Sequence, residues 1–94
     1  MPTYPVLLPS GARVRLSAPQ WRTLRTIVTQ LARRPHLVTW LPLDLFPART
    51  NQAAAARRTL PPLASKGVLE RIQTGYRLAA GVAEQVQAAA HAQA

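Results

Sequence analysis

Between Ser17 and Pro35 the chain can be little other than one amphipathic helix. Ser17 has the chemistry of an N-cap, and Gln20 three residues later completes an S-x-x-Q capping box. Pro19 falls in the first turn, where its missing N–H costs nothing. Trp21, Leu24, Ile27, Val28 and Leu31 recur at spacings of three and four, while Arg22, Arg25 and Gln30 fall away from that stripe. Arg33 and Arg34 suit the negative end of the helix dipole, and Pro35 forces the stop. The spacing predicts a helix over Ala18–Arg33.

Ahead of it, two short runs, Val6–Leu8 and Arg13–Leu16, flank Pro9-Ser10-Gly11-Ala12. Proline fixes φ and glycine permits positive φ, so the four residues read as the turn of a β-hairpin. The second run alternates, with Val14 and Leu16 on a core face and Arg13 and Arg15 toward solvent. Pro5 and Pro9 bracket the first run, which makes it an edge strand or an extended arm.

After it, His36–Val38 is a short strand or an extended connector. Thr39 can cap a brief helix over Trp40–Phe46, with Leu41 and Leu45 inward and Trp40 or Phe46 beside them. Pro47-Ala48-Arg49 then turns into a third helix capped by Thr50. Ala53, Ala56, Leu60 and Leu63 give that helix a core face; Asn51, Ala54, Arg58, Pro61 and Ser65 lie opposite. Pro61 and Pro62 predict a kink or a break, since a proline inside a helix removes a donor and crowds the carbonyl four residues back. Gly67 is placed as the C′ residue of the helix end. Val68–Gln73 and Tyr76–Leu78 read as two strands joined at Thr74-Gly75, with alternation leaving open which face is buried. Residues 80–94 are rich in Ala and Gln, with Val82, Val86 and Ala89 in a weak helical stripe. They form either a dimerisation helix or a frayed tail appended to a domain spanning residues 1–79.

Ninety-four residues suffice for one modest core. Twelve Lys and Arg oppose three acids, a net charge of +9, and such an excess on a small domain points to a polyanion, nucleic acid first. The plain alternative is a solvated surface rich in arginine. No cysteine is present, so disulfide scaffolds and thiolate zinc sites are excluded. No apolar run approaches the ~18–20 residues of a membrane span, and the start of the chain lacks signal-peptide character. A cytoplasmic protein with no membrane partner is expected. Catalysis is poorly provided for. Asp44, Glu70 and Glu84 are the carboxylates, His36 and His91 stand far apart, and no phosphate loop, metal-ligand spacing or carboxylate pair occurs. No cofactor and no metal are expected.

Hairpin, helix, short strand, helix, turn, helix and two-stranded turn is an α+β order. Leu63–Ile72, L-A-S-K-G-V-L-E-R-I, is similar to the junction of helix end, glycine and strand in winged helix-turn-helix transcription factors. Thr74–Leu78, T-G-Y-R-L, looks like a short wing closing onto a three-helix core. Val14–Leu24, V-R-L-S-A-P-Q-W-R-T-L, resembles the first strand and helix of response-regulator effector domains. The resemblance implies that the third helix enters the major groove of DNA with its N-terminal half.

The residues there suit that role. Thr50, Asn51 and Gln52 can bond phosphates or base edges, and Asn or Gln can pair with adenine through two bonds. Capping and solvation are the plain alternative for those three. Arg57 and Arg58 can reach guanine edges or phosphates, or form a solvated face. Arg49 and Lys66 flank the helix, and Arg71, Thr74 and Arg77 on the wing would touch backbone phosphates. Arg22, Arg25, Arg33 and Arg34 form a general electrostatic skirt, while the two tryptophans and Tyr76 belong to the core. The expectation is non-catalytic binding of double-stranded DNA by a transcriptional regulator. The alternatives are a plasmid, phage or replication accessory protein within a larger nucleoprotein assembly, and a winged-helix protein-interaction module; a homodimer is compatible with each.

Overall fold

A computed structural model of the protein describes residues 3–46 and 51–93; for residues 43, 52, 55 and 90–93 it describes the backbone alone. Strands β1 (Tyr4–Leu7) and β2 (Arg13–Leu16) form an antiparallel hairpin, followed by helices α1 (Ala18–Arg33), α2 (Pro42–Leu45) and α3 (Asn51–Lys66). A second antiparallel hairpin, β3 (Leu69–Ile72) and β4 (Gly75–Leu78), leads into helix α4 (Val82–Gln93). The architecture is α+β, helices around one core with two small sheets at its margin.

α1 occupies the predicted span. The Ser17 hydroxyl accepts from the Gln20 N–H at 3.4 Å, and the Gln20 side chain accepts from the Ser17 N–H at 2.9 Å. Trp21, Leu24, Ile27 and Val28 are buried, and Leu31 packs against them. The first hairpin lays Val6 and Leu16 onto the same core. Its turn closes with the Leu8 N–H on the Ala12 carbonyl, and Tyr4 stacks on Trp21 with ring centroids 4.9 Å apart.

The segment after α1 departs from expectation. Of the short strand or extended connector expected over residues 36–38 the strand does not form, and the short helix begins at Pro42 rather than Trp40. Its start is held by the Asp44 carboxylate, which accepts from the Leu41 N–H at 2.7 Å, so Asp44 and not Thr39 supplies the cap. Trp40 is drawn away into a β-bridge. Its N–H donates to the Tyr76 carbonyl at 2.9 Å, and its carbonyl accepts from the Tyr76 N–H at 2.8 Å. The two rings stack at 5.5 Å. Leu45, Phe46 and Trp40 are buried as expected, whereas Leu41 is 54% exposed. The expected turn over Pro47-Ala48-Arg49 and the Thr50 cap lie outside the described residues.

α3 runs through Pro61 and Pro62, so of the expected kink or break it is the break that is absent. The carbonyls of Arg57 and Arg58 lose their usual donors four residues on, yet both prolines sit on the exposed side, where water can serve those acceptors. On the opposite side Ala53, Ala56, Leu60 and Leu63 are all buried. The burial of Leu60 and Leu63, each worth roughly 1.5–3 kcal/mol, offsets much of the penalty of about 3 kcal/mol that each proline carries. Gly67 ends the helix at φ +89°.

β3 and β4 pair Leu69 with Leu78, Glu70 with Arg77, Arg71 with Tyr76 and Ile72 with Gly75, so the turn is Gln73-Thr74 rather than Thr74-Gly75. Gly75 has φ +134°, and a Cβ there would lie 2.2 Å from the Trp40 carbonyl oxygen. Glycine at that position is what lets the bridge to Trp40 form. α4 buries Val82 and Val86 against the chain's own core, with Ala89 packed at its edge, between α1 and β1. The weak stripe therefore serves the fold of this chain and does not lie in a frayed tail.

Candidate nucleic-acid interface

α3 presents its sides as a helical period of about 100° per residue requires. With Ala53, Ala56, Leu60 and Leu63 facing the core, Arg58 falls directly opposite them, and Asn51, Ala54, Pro61, Pro62 and Ser65 share its exposed side. Arg57 is also exposed, on the flank. Neither arginine has an ion-pair or hydrogen-bond partner among the described residues. The helix thus carries two free guanidinium groups, with Asn51 about two turns before Arg58 and the single methyl of Ala54 between them. Pro62 was not assigned to this face from the sequence, although the same helical projection includes it.

The remaining expected residues divide. Arg49 and Thr50 lie outside the described residues, as does the Gln52 side chain. Lys66 is half-buried and engaged: its ammonium donates to the Arg15 carbonyl at 2.5 Å and to the Gln20 side chain at 2.9 Å. It ties the end of α3 to the junction of β2 and α1, and its placement reads as structural. Arg77 Nε pairs with the Glu70 carboxylate directly across the hairpin at 2.5 Å. Arg71 and Thr74 are exposed on β3 and in its turn. Of the second hairpin, then, Arg71 is the base with a free guanidinium.

One base joins the surface that sequence reasoning had left in the general skirt. Arg22 on α1 lines a groove of about 340 Å³ whose other wall is formed by Ala56 and Thr59 of α3. It flanks the helix on the side away from Arg57. Arg34, by contrast, donates to the Asp44 carbonyl at 2.5 Å and fastens α1 to α2. Among the described residues no carboxylate pairs with a base of α3: Asp44 caps α2, Glu70 holds Arg77, and Glu84 is exposed on α4. Among the described residues no three His, Asp or Glu side chains gather where they could hold a metal ion, and no helix is long and apolar enough to cross a membrane. Comparison with protein-family models, curated proteins and solved structures returns no match.

Proposed function

We propose that the protein is a winged helix-turn-helix module that binds double-stranded DNA without catalysis, as a transcriptional regulator in the cytoplasm. The observation that carries this reading is the outward side of α3, where Arg58 and Arg57 are exposed and unpaired behind a rigid core face. A helix held by buried residues on one side and carrying Asn51, Ala54 and Arg58 on the other has the dimensions and donors to read a major groove. Arg58 would bond guanine and Asn51 adenine, with Ala54 against a thymine methyl. Arg22 and Arg71 would hold phosphates on either side and set the register. The bridge between Trp40 and Tyr76 supports the winged arrangement, because it joins the segment between α1 and α2 to the second hairpin.

Selection of bound sequences from a random duplex pool tests it. The expected outcome is an enriched motif that loses one defined base preference in Arg58→Ala, while Arg22→Ala weakens all sequences alike. An unenriched pool, or equal effects of the two substitutions, removes the reading role from α3.

A further inference from the structure

The outer side of the first hairpin carries a second group of free cations. Arg13 and Arg15 stand two residues apart on β2, hence on one face and about 7 Å from each other. Both are exposed, and neither has a side-chain partner among the described residues. Their register partners Leu7 and Pro5 are exposed on the same face. With Thr3 and Pro5 the two arginines line a concavity, so a hydroxyl stands beside the guanidinium groups.

The backbone behind this face is fixed by contacts that also close the fold. The Gln85 side chain closes the edge of β1 through two hydrogen bonds to Leu7. Lys66 grips the Arg15 carbonyl, and the stacked pair of Tyr4 and Trp21 supports the strand from beneath. Two guanidinium stems on a fixed backbone lose less freedom on meeting phosphate than the same stems on a mobile loop. The location separates this group from the interface proposed above. The hairpin packs mainly on α1 and α4, whereas α3 packs mainly on α1, α2 and β3 and meets the hairpin at Lys66, about two turns beyond Arg58. Each turns an inner face into the shared core, Val6 and Leu16 from the hairpin, Leu60 and Leu63 from α3, and an arginine-bearing face outward.

We infer that the Arg13–Arg15 face is a second, sequence-independent binding surface for nucleic-acid phosphates, so that one molecule holds two duplex segments at once. The inference rests on the proposed duplex binding by α3 and adds a separate site to it. The contacts assigned to this face are guanidinium to phosphate, which fix position on a duplex and carry no sequence information.

The test uses the full chain. Anisotropy with a single labelled duplex reports the first site, and capture of that duplex by a second, bead-bound duplex reports bridging. The expected result is bridging by the wild-type protein that R13A/R15A abolishes, while its single-duplex affinity stays within about threefold of wild type, as loss of a remote site requires. With the first site saturated throughout, capture should fall with log salt at a slope of about 2, one phosphate for each arginine. The variant keeps the fold, since Lys66 bonds the Arg15 backbone and not its side chain; circular dichroism confirms this, and R13K/R15K should retain bridging. Undiminished bridging by R13A/R15A overturns the inference and points to bridging by a dimer. A loss of single-duplex affinity equal to that of R57A/R58A also overturns it, because both faces then grip one duplex. If the wild-type protein binds no duplex at all, the anisotropy arm shows that the parent reading has failed.

Discussion

The Gln85 side chain pairs with the backbone of Leu7 as a neighbouring strand would: the Leu7 N–H donates to Oε1 at 2.8 Å, and Nε2 donates to the Leu7 carbonyl at 2.6 Å. Seventy-eight residues separate them, so the pair closes the fold by docking α4 onto the first hairpin. It also occupies one donor and one acceptor on the exposed edge of β1, where an unpaired edge invites association. Gln85→Ala should lower stability by about 1–3 kcal/mol, two hydrogen bonds' worth. In a domain of this size that is a fall in Tm of at least about 4 °C. Gln85→Glu keeps an acceptor but brings a carboxylate to the Leu7 carbonyl, so it should fare no better than Ala. Urea unfolding measures both, and unchanged midpoints would mean that the pair contributes nothing.

Gly75 and Gly11 both have positive φ, but only one is also hemmed in. A Cβ at Gly11 meets nothing within 4 Å, whereas at Gly75 it would collide with the Trp40 carbonyl at 2.2 Å. Gly11→Ala should cost about 1–2 kcal/mol from backbone strain alone. Gly75→Ala should cost more, because the Trp40–Tyr76 bridge must also open. Thermal unfolding that ranked the two in the opposite order would contradict the assigned role of the bridge.

Pro61 and Pro62 sit in a continuous helix with exposed rings and no evident partner. Pro61→Ala restores the N–H that the Arg57 carbonyl lacks, and should stabilise the protein by about 1–3 kcal/mol after allowing for the greater freedom of the unfolded chain. Chemical denaturation decides, and a loss of stability would show that the ring packs favourably where it stands.

Lys66 and Arg71 are both bases near the second hairpin, yet one is tied and the other is free. Lys66→Met should lower stability by about 1.5–3 kcal/mol, the range for a hydrogen-bonded charged donor, and leave duplex affinity nearly unchanged. Arg71→Ala should do the reverse, reducing affinity by one phosphate contact without moving the unfolding midpoint. Arg77→Ala should weaken binding less than Arg71→Ala, because Glu70 already neutralises Arg77. Paired binding and unfolding curves for the three variants separate the roles.

These contrasts reflect what local sequence can carry. α1 was legible to the residue because its stripe, its capping box and its proline stop all act within a few residues. The outward placement of Arg58 was legible for the same reason, since a helical period is enough to place it. The start of α2 was not, because Trp40 is claimed by Tyr76, thirty-six positions along the chain. Lys66 read as a surface base since its acceptors come from β2 and α1. Of the kink or break expected at Pro61, the break overweighted a local penalty that buried Leu60 and Leu63 help to offset. α4 read as ambiguous because its weak stripe acquires a partner only once β1 and α1 have met.

The most direct measurement is a salt titration of duplex affinity with the wild-type protein and R57A/R58A. A phosphate contact from Arg57 and a guanine contact from Arg58 predict tight binding at low salt, a log-linear decline, and in the double variant weaker binding at every salt with a slope shallower by about 1. No measurable affinity for duplex at low salt, or identical slopes for the two proteins, would contradict the account.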